Sequence, residues 1–155
     1  MRLNKIILFI ASLFLVGGIS AKSLMFRHIE AHDGLSNSQI NCVFQDSRGF
    51  MWFGTSSGLN RYDGHNMVVY RTSLNDLQTL PDSYIHSICE DREGNLWVRT
   101  SMGHALYRPG SDDFDRDIRQ QVFRFGLDTE PTLVSVDKKG DYWFYVSGRG
   151  CYWYS

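Results

Sequence analysis

The sequence has little net charge of either sign. Sixteen Lys and Arg stand against seventeen Asp and Glu, for a net −1, and the signs are mixed along the chain. No basic patch is present of the kind a nucleic-acid-binding surface needs, so nucleic acid is not expected as a partner. Cysteine is scarce and odd in number: Cys42, Cys89 and Cys151, with no Cys-x-x-Cys spacing. No disulfide framework or zinc site is specified. Cys42 and Cys89 are read as small apolar strand residues. Beyond the first twenty residues there is no long hydrophobic run and no 3.6-residue periodicity, which argues against a helical repeat. Ser/His/Asp or Cys/His sets and phosphate-binding loops are missing too, so no catalytic residue, cofactor or metal is assigned.

What is present begins with the N-terminus. Met1 to Lys5 is short and basic, and Ile6 to Ile19 is apolar and uncharged. Fourteen residues are fewer than the roughly twenty a membrane-crossing helix needs. Small residues follow at Ser20 and Ala21. Residues 1–21 read as a helical signal peptide cut near Ala21, in preference to an uncleaved anchor. Cleavage would remove Arg2 and Lys5 and leave a net charge of −3. The remainder is expected to be soluble on the far side of a membrane.

The rest is a tandem repeat. Val43 to Thr55, Ile88 to Thr100 and Val134 to Val146 align without gaps and share Asp-x-x-Gly-x-x-Trp. The copies are Asp46, Gly49, Trp52; Asp91, Gly94, Trp97; and Asp137, Gly140, Trp143. The tryptophans are 45 and 46 residues apart. Asp followed three residues later by Gly suits a hairpin turn. The Asp accepts backbone N–H groups and the Gly supplies a positive φ. The Trp is placed to pack against the neighbouring unit. Asp63-Gly64 between two strand-like runs marks a further hairpin.

Four antiparallel strands are therefore expected in the first unit, at 39–45, 50–55, 58–62 and 66–71. In the second they are expected at 84–90, 95–100, 103–107 and 121–125, with 108–120 a polar surface loop. Short antiparallel strands recurring every forty to fifty residues indicate an all-β propeller. The blades fall at about 36–71 and 80–125, with a partial third at 130–155. Residues 24–29 read as the closing strand of a blade outside this chain. An open arc of this kind exposes its end faces and is expected to be poorly soluble.

The combination DGLSNSQI followed by QDSRGFMWFGTSSGLNRYDG, and then LPDSYIHSICEDREGNLWVRT, resembles the two-component regulator propeller repeats. These belong to the periplasmic sensor region of hybrid two-component histidine kinases, chiefly of gut Bacteroidetes. The resemblance covers residues 25–107 well and 121–155 more weakly. It implies a protein with two propellers, a small β-sandwich, a membrane helix, a kinase core, receiver domains and a DNA-binding regulator. It implies signalling through a phosphorelay in response to oligosaccharides, for polysaccharide utilisation. On this reading the chain is an interaction module without catalysis. Its partners are the rest of the propeller and kinase, an oligosaccharide, and a second copy in a full-length homodimer. A fragment of a secreted propeller enzyme of the streptogramin-lyase kind, or a non-functional truncated product, is the competing reading.

Departures from the repeat mark candidate ligand contacts. Gly54-Thr55 follows the first Trp, but Arg99-Thr100 and Tyr145-Val146 follow the others. The third unit also carries one extra residue between Val146 and Tyr154. Arg99, Tyr145 and Arg149 are the positions to test for sugar contacts. His28, Glu30 and His32 would share one face of a strand, but read as a solvated edge rather than a metal site. Asp112, Asp113, Asp115 and Asp117 around Phe114 read as a solvated acidic loop.

Overall fold

The computed structural model describes residues 26–155, and the signal-peptide expectation for 1–21 lies outside them. Three antiparallel sheets follow one another along the chain, each built from consecutive strands. The first holds β1 (Ile40–Gln45), β2 (Met51–Thr55), β3 (Gly58–Tyr62) and β4 (Met67–Tyr70). The second holds β5 (Ile85–Glu90), β6 (Leu96–Thr100), β7 (Gly103–Arg108) and β8 (Asp113–Asp115). The third holds β9 (Leu133–Val136), β10 (Tyr142–Val146) and β11 (Gly150–Tyr154). This is the expected partial propeller, two four-stranded blades and three strands of another.

The repeat fixes local geometry down to the irregularities. The pairing register shifts between Ile40 and Cys42 and, one repeat later, between Ile85 and Ser87. In each Asp-x-x-Gly turn the Gly N–H donates to the Asp carbonyl, at 3.0, 3.0 and 2.9 Å. Gly49, Gly94 and Gly140 have φ of 91°, 81° and 84°, a region that side chains with a Cβ resist. The extra residue of the third unit lies in its second hairpin. Thr55 pairs with Gly58 and Thr100 with Gly103 across two residues, but Val146 pairs with Gly150 across three.

The blades stack face to face, and the core lies between them. Trp52 and Leu59 of the first blade pack with Leu80, Ile85, Leu96, Val98, Ala105, Tyr107 and Phe114. Trp97 and Leu106 of the second pack with Ile118, Val122, Leu127, Val134, Tyr142, Phe144 and Val146. Each of these two tryptophans is thus buried by the blade that follows it, as expected from the spacing. Truncating so large a buried ring costs roughly 3–5 kcal/mol.

The second blade departs from expectation in its outer part. Residues 121–125 are not a strand; Arg119–Phe123 form a short helix, α1. The outer strand is β8, inside the segment expected to be a solvated loop. Phe114 is the cause. It is buried between two acidic neighbours, packed on Tyr70 and Tyr107 at centroid distances of 5.2 and 5.4 Å. Ile118 and Val122, four apart, bury one side of α1 over the second core.

Residues 26–30 have no regular secondary structure. Residues 26–29, expected to close another blade, pair with no strand of the described chain, and that assignment stands as a proposal. The His28–Glu30–His32 segment is not a strand either: Ala31–Asp33 form a 3-10 turn capped by Gly34 at φ 99°. His32 Nδ1 lies 3.1 Å from Glu30 Oε1. Among the described residues no group of His, Cys, Asp or Glu is arranged to hold a metal ion.

Candidate functional site

The motif aspartates do more than accept turn amides. Asp46 Oδ1 accepts the backbone N–H groups of Arg48 and Phe50 at 3.0 and 2.9 Å. Its Oδ2 accepts the Trp52 indole N–H at 2.9 Å and the Arg48 guanidinium at 2.8 Å. Asp91 repeats this with Glu93, Asn95 and Trp97, the indole bond being 3.0 Å. Asp137 does so with Lys139, Asp141 and Trp143, the indole bond lengthening to 3.3 Å. One carboxylate therefore ties a turn to the ring that fills the next interface. Sequence reasoning gave the turn and the packing ring but missed the bond between them. Burial alone would raise the Asp46 carboxyl, but the Trp52, Arg48 and Phe50 donors outweigh it and hold it below its ordinary 3.8. Every oxygen is committed, so the motif is a clasp and offers no free group to a ligand.

A second cluster joins the outer rims of the first two blades. Asp112, in the β7–β8 turn at φ 58°, accepts the Tyr70 and Tyr107 hydroxyls, each at 2.5 Å, and the Arg61 guanidinium at 2.6 Å. The Arg61 guanidinium lies against the rings of Phe50, Trp52, Tyr70 and Tyr107. Burial, which opposes the Arg61 charge, is outweighed by Asp112, and the guanidinium is held above its ordinary value. Tyr70 is pushed well up, by burial first and by Asp112 second. The acidic segment was expected to be solvated. Instead Asp112 latches two blades, Asp113 pairs with Arg108 at 2.6 Å, and Asp117 with Arg119 at 2.5 Å. No spacing in the sequence signals this, because Arg61 and Asp112 are 51 residues apart.

The three candidate ligand contacts are not brought together. Arg99 is on β6 and pairs in register with His104 of β7. It lines a cavity of about 210 Å³ between the second and third blades that neither Tyr145 nor Arg149 reaches. Tyr145 is on the outer face of β10, beside Leu133 and Cys151 in register. Arg149 is in the three-residue turn and pairs with Asp128 at 2.5 Å. The sequence gave no role to His104, one of its scattered histidines, or to Glu130; His104 lines the Arg99 cavity and Glu130 is hydrogen-bonded to it. The cysteines are all free thiols; burial pushes Cys89 up to about 12, so it is inert at neutral pH.

Residues 34–57 and 79–102 both match the two-component regulator propeller family. Each of these two segments is similar to a two-component regulator propeller repeat. The two matched segments open the first and second blades and contain the Asp46–Trp52 and Asp91–Trp97 clasps. A 54-residue stretch is 39% identical to histidine kinase P4 of Formosa agariphila, covering 35% of this chain. This chain spans 4% of that protein's length. Among solved structures, the extracellular domain of a one-component system of B. thetaiotaomicron matches with a TM-score of 0.52. Identity is 24%, over 74% of this chain and 16% of that one. The extracellular domain of a hybrid two-component system from the same organism matches at a TM-score of 0.41 and 17% identity, over 82% and 24% of the two chains. The first of these likenesses supports the propeller fold.

Proposed function

We propose that this chain is the N-terminal part of the periplasmic sensor region of a hybrid two-component histidine kinase. Its role is to bind a glycan and pass the event on, without catalysis of its own. The observation that carries this reading is the pair of regulator-propeller repeats, joined to the stretch shared with a histidine kinase. The site chemistry agrees with it. The motif carboxylates and the Asp112 cluster are consumed in holding blades together, which suits a rigid scaffold that presents loops and gaps to a ligand. Export follows from residues 1–21 read as a signal peptide, and among the described residues no helix is long and apolar enough to cross a membrane. Kinase, receiver and regulator activities belong to the remainder of such a protein, which also supplies the blades that cover the open faces of this segment.

The test is a thermal-shift series on the intact extracytoplasmic region against a panel of oligosaccharides. A ligand that binds only the folded form raises the midpoint by mass action. At least one glycan class should do so. No shift with any glycan would overturn the sensing role.

A further inference from the structure

The first and second inter-blade gaps differ at one matched pair of positions. In the first blade Gly54 faces Leu59 across β2 and β3. A Cβ on Gly54 would lie 2.5 Å from Cys42 Sγ and 2.6 Å from Ile85 Cγ2, so the gap is shut. In the second blade the same positions hold Arg99 and His104. There the gap opens into the cavity of about 210 Å³, lined by Arg99, Thr100, Ser101, His104, Pro131 and Thr132.

The polar groups of this cavity are incompletely used. His104 is 3% exposed, yet its Nε2 has no hydrogen-bond partner. Its other nitrogen, Nδ1, is 3.4 Å from Glu130 Oε1, which also accepts the His104 backbone N–H at 3.1 Å. The two hydrogen bonds hold the Glu130 carboxyl below its usual range. In the neutral imidazole, with Nδ1–H donating to that carboxylate, Nε2 carries a lone pair and accepts. Arg99, half-buried beside it, is in no ion pair with a described carboxylate. A buried polar atom without a partner is costly and marks a place where a ligand or water belongs.

We propose that the cavity between the second and third blades is a binding site for a neutral polyhydroxylated ligand, a sugar residue. Arg99 donates to it and His104 Nε2 accepts from it. Adjacent sugar hydroxyls both donate and accept, which matches a guanidinium next to an imidazole lone pair. Glu130, hydrogen-bonded to His104, sets a carboxylate beside the cavity and disfavours an anionic ligand relative to a neutral one. Pro131 supplies an apolar wall for the C–H side of the ring. The ligand class rests on the sensing reading; the cavity and its unpartnered donor and acceptor do not.

The experiment is calorimetric titration of the intact extracytoplasmic region with neutral mono- and disaccharides, and with galacturonate and inorganic phosphate as anionic controls. Two variants accompany the wild type: Arg99→Gln, which keeps the volume, and the double substitution Arg99→Gly with His104→Leu, which restores the first gap's pair. Unchanged melting midpoints establish that both are folded. Neutral saccharide should bind the wild type, about tenfold more weakly with Arg99→Gln, and not measurably with the double variant. Equal affinity in all three proteins overturns this site while leaving the sensing role intact. A response to the anions alone overturns the ligand class, and no binding by the wild type overturns this site; the sensing role falls only if the oligosaccharide panel also gives no thermal shift.

Discussion

The Trp52 indole N–H donates to Asp46 Oδ2 at 2.9 Å, and the ring it anchors is fully buried against the second blade. Two scales of structure meet in that bond. It closes a turn within one blade and orients the group that cements the next. Asp46→Ala leaves the indole and two backbone amides without their acceptor and should destabilise by about 2 kcal/mol. Asp137→Ala, whose Trp143 is 43% exposed, should cost under half of that. Urea unfolding monitored by tryptophan fluorescence measures both.

The same carboxylate makes stability depend on pH. Its folded value lies below the ordinary 3.8, so the folded state holds the ionised form more tightly than the unfolded chain does. This contribution is complete above 3.8 and is lost as pH falls through the folded value. Wild-type protein should lose stability over that acid range more steeply than Asp46→Asn. Midpoints compared between pH 5 and pH 2 decide it; parallel curves would remove Asp46 from the account.

Gly54 and Gly49 are glycines for different reasons, and substitution separates them. Gly54→Ala drives a methyl into Cys42 and Ile85 across the first gap and should cost about 1–3 kcal/mol. Gly49 has open space around it but a φ of 91°, so Gly49→Ala should cost about 1 kcal/mol of backbone strain. Denaturation midpoints should rank the two in that order.

The Asp112 latch makes a third comparison. Asp112→Asn keeps a residue that tolerates the left-handed conformation but removes the charge that Arg61 and two tyrosines share. Asp112→Gly relieves the conformation and removes every bond. Because the carboxylate is half exposed, each change should cost only about 1 kcal/mol, with Asp112→Gly no worse than Asp112→Ala. Equal stability of wild type and all three variants would show that the rim contributes nothing to blade docking.

The outer face of the third blade carries Trp143, Tyr145 and Trp153, at 43%, 42% and 60% exposure. Contiguous apolar surface of this kind drives association. The 155-residue chain alone should self-associate, and the triple serine variant at these positions should sediment closer to a monomer. Analytical ultracentrifugation measures this. A monodisperse wild-type monomer that unfolds cooperatively would contradict the open-arc description.

Much of this architecture was legible in the sequence because a period repeats its own evidence. Three copies of Asp-x-x-Gly-x-x-Trp fixed the turns, the strands on either side and the direction in which the rings point. The extra residue of the third unit also showed as a spacing change. The outer part of the second blade was not legible, for two local reasons. Asp-Phe-Asp is a strand of three residues whose composition reads as solvated, and only the tertiary burial of Phe114 makes it one. Gln121 to Phe125 carries the β-branched and aromatic residues that favour a strand, but the four-residue spacing of Ile118 and Val122 wins because both face the second core. The Arg99–His104 cavity was half legible. Arg99 stood out by breaking the repeat, while His104 gained meaning only when β6 and β7 were set in register.

Hydrogen exchange of the tryptophan indole N–H groups, followed by NMR, tests the clasp most directly. The Trp52 and Trp97 protons are held by buried carboxylates under the next blade and should exchange slowly, through global opening. The Trp143 proton, bonded at 3.3 Å on an uncovered face, should exchange far faster. Equal rates for all three would contradict the claim that each motif Asp–Trp pair is sealed by the blade that follows it.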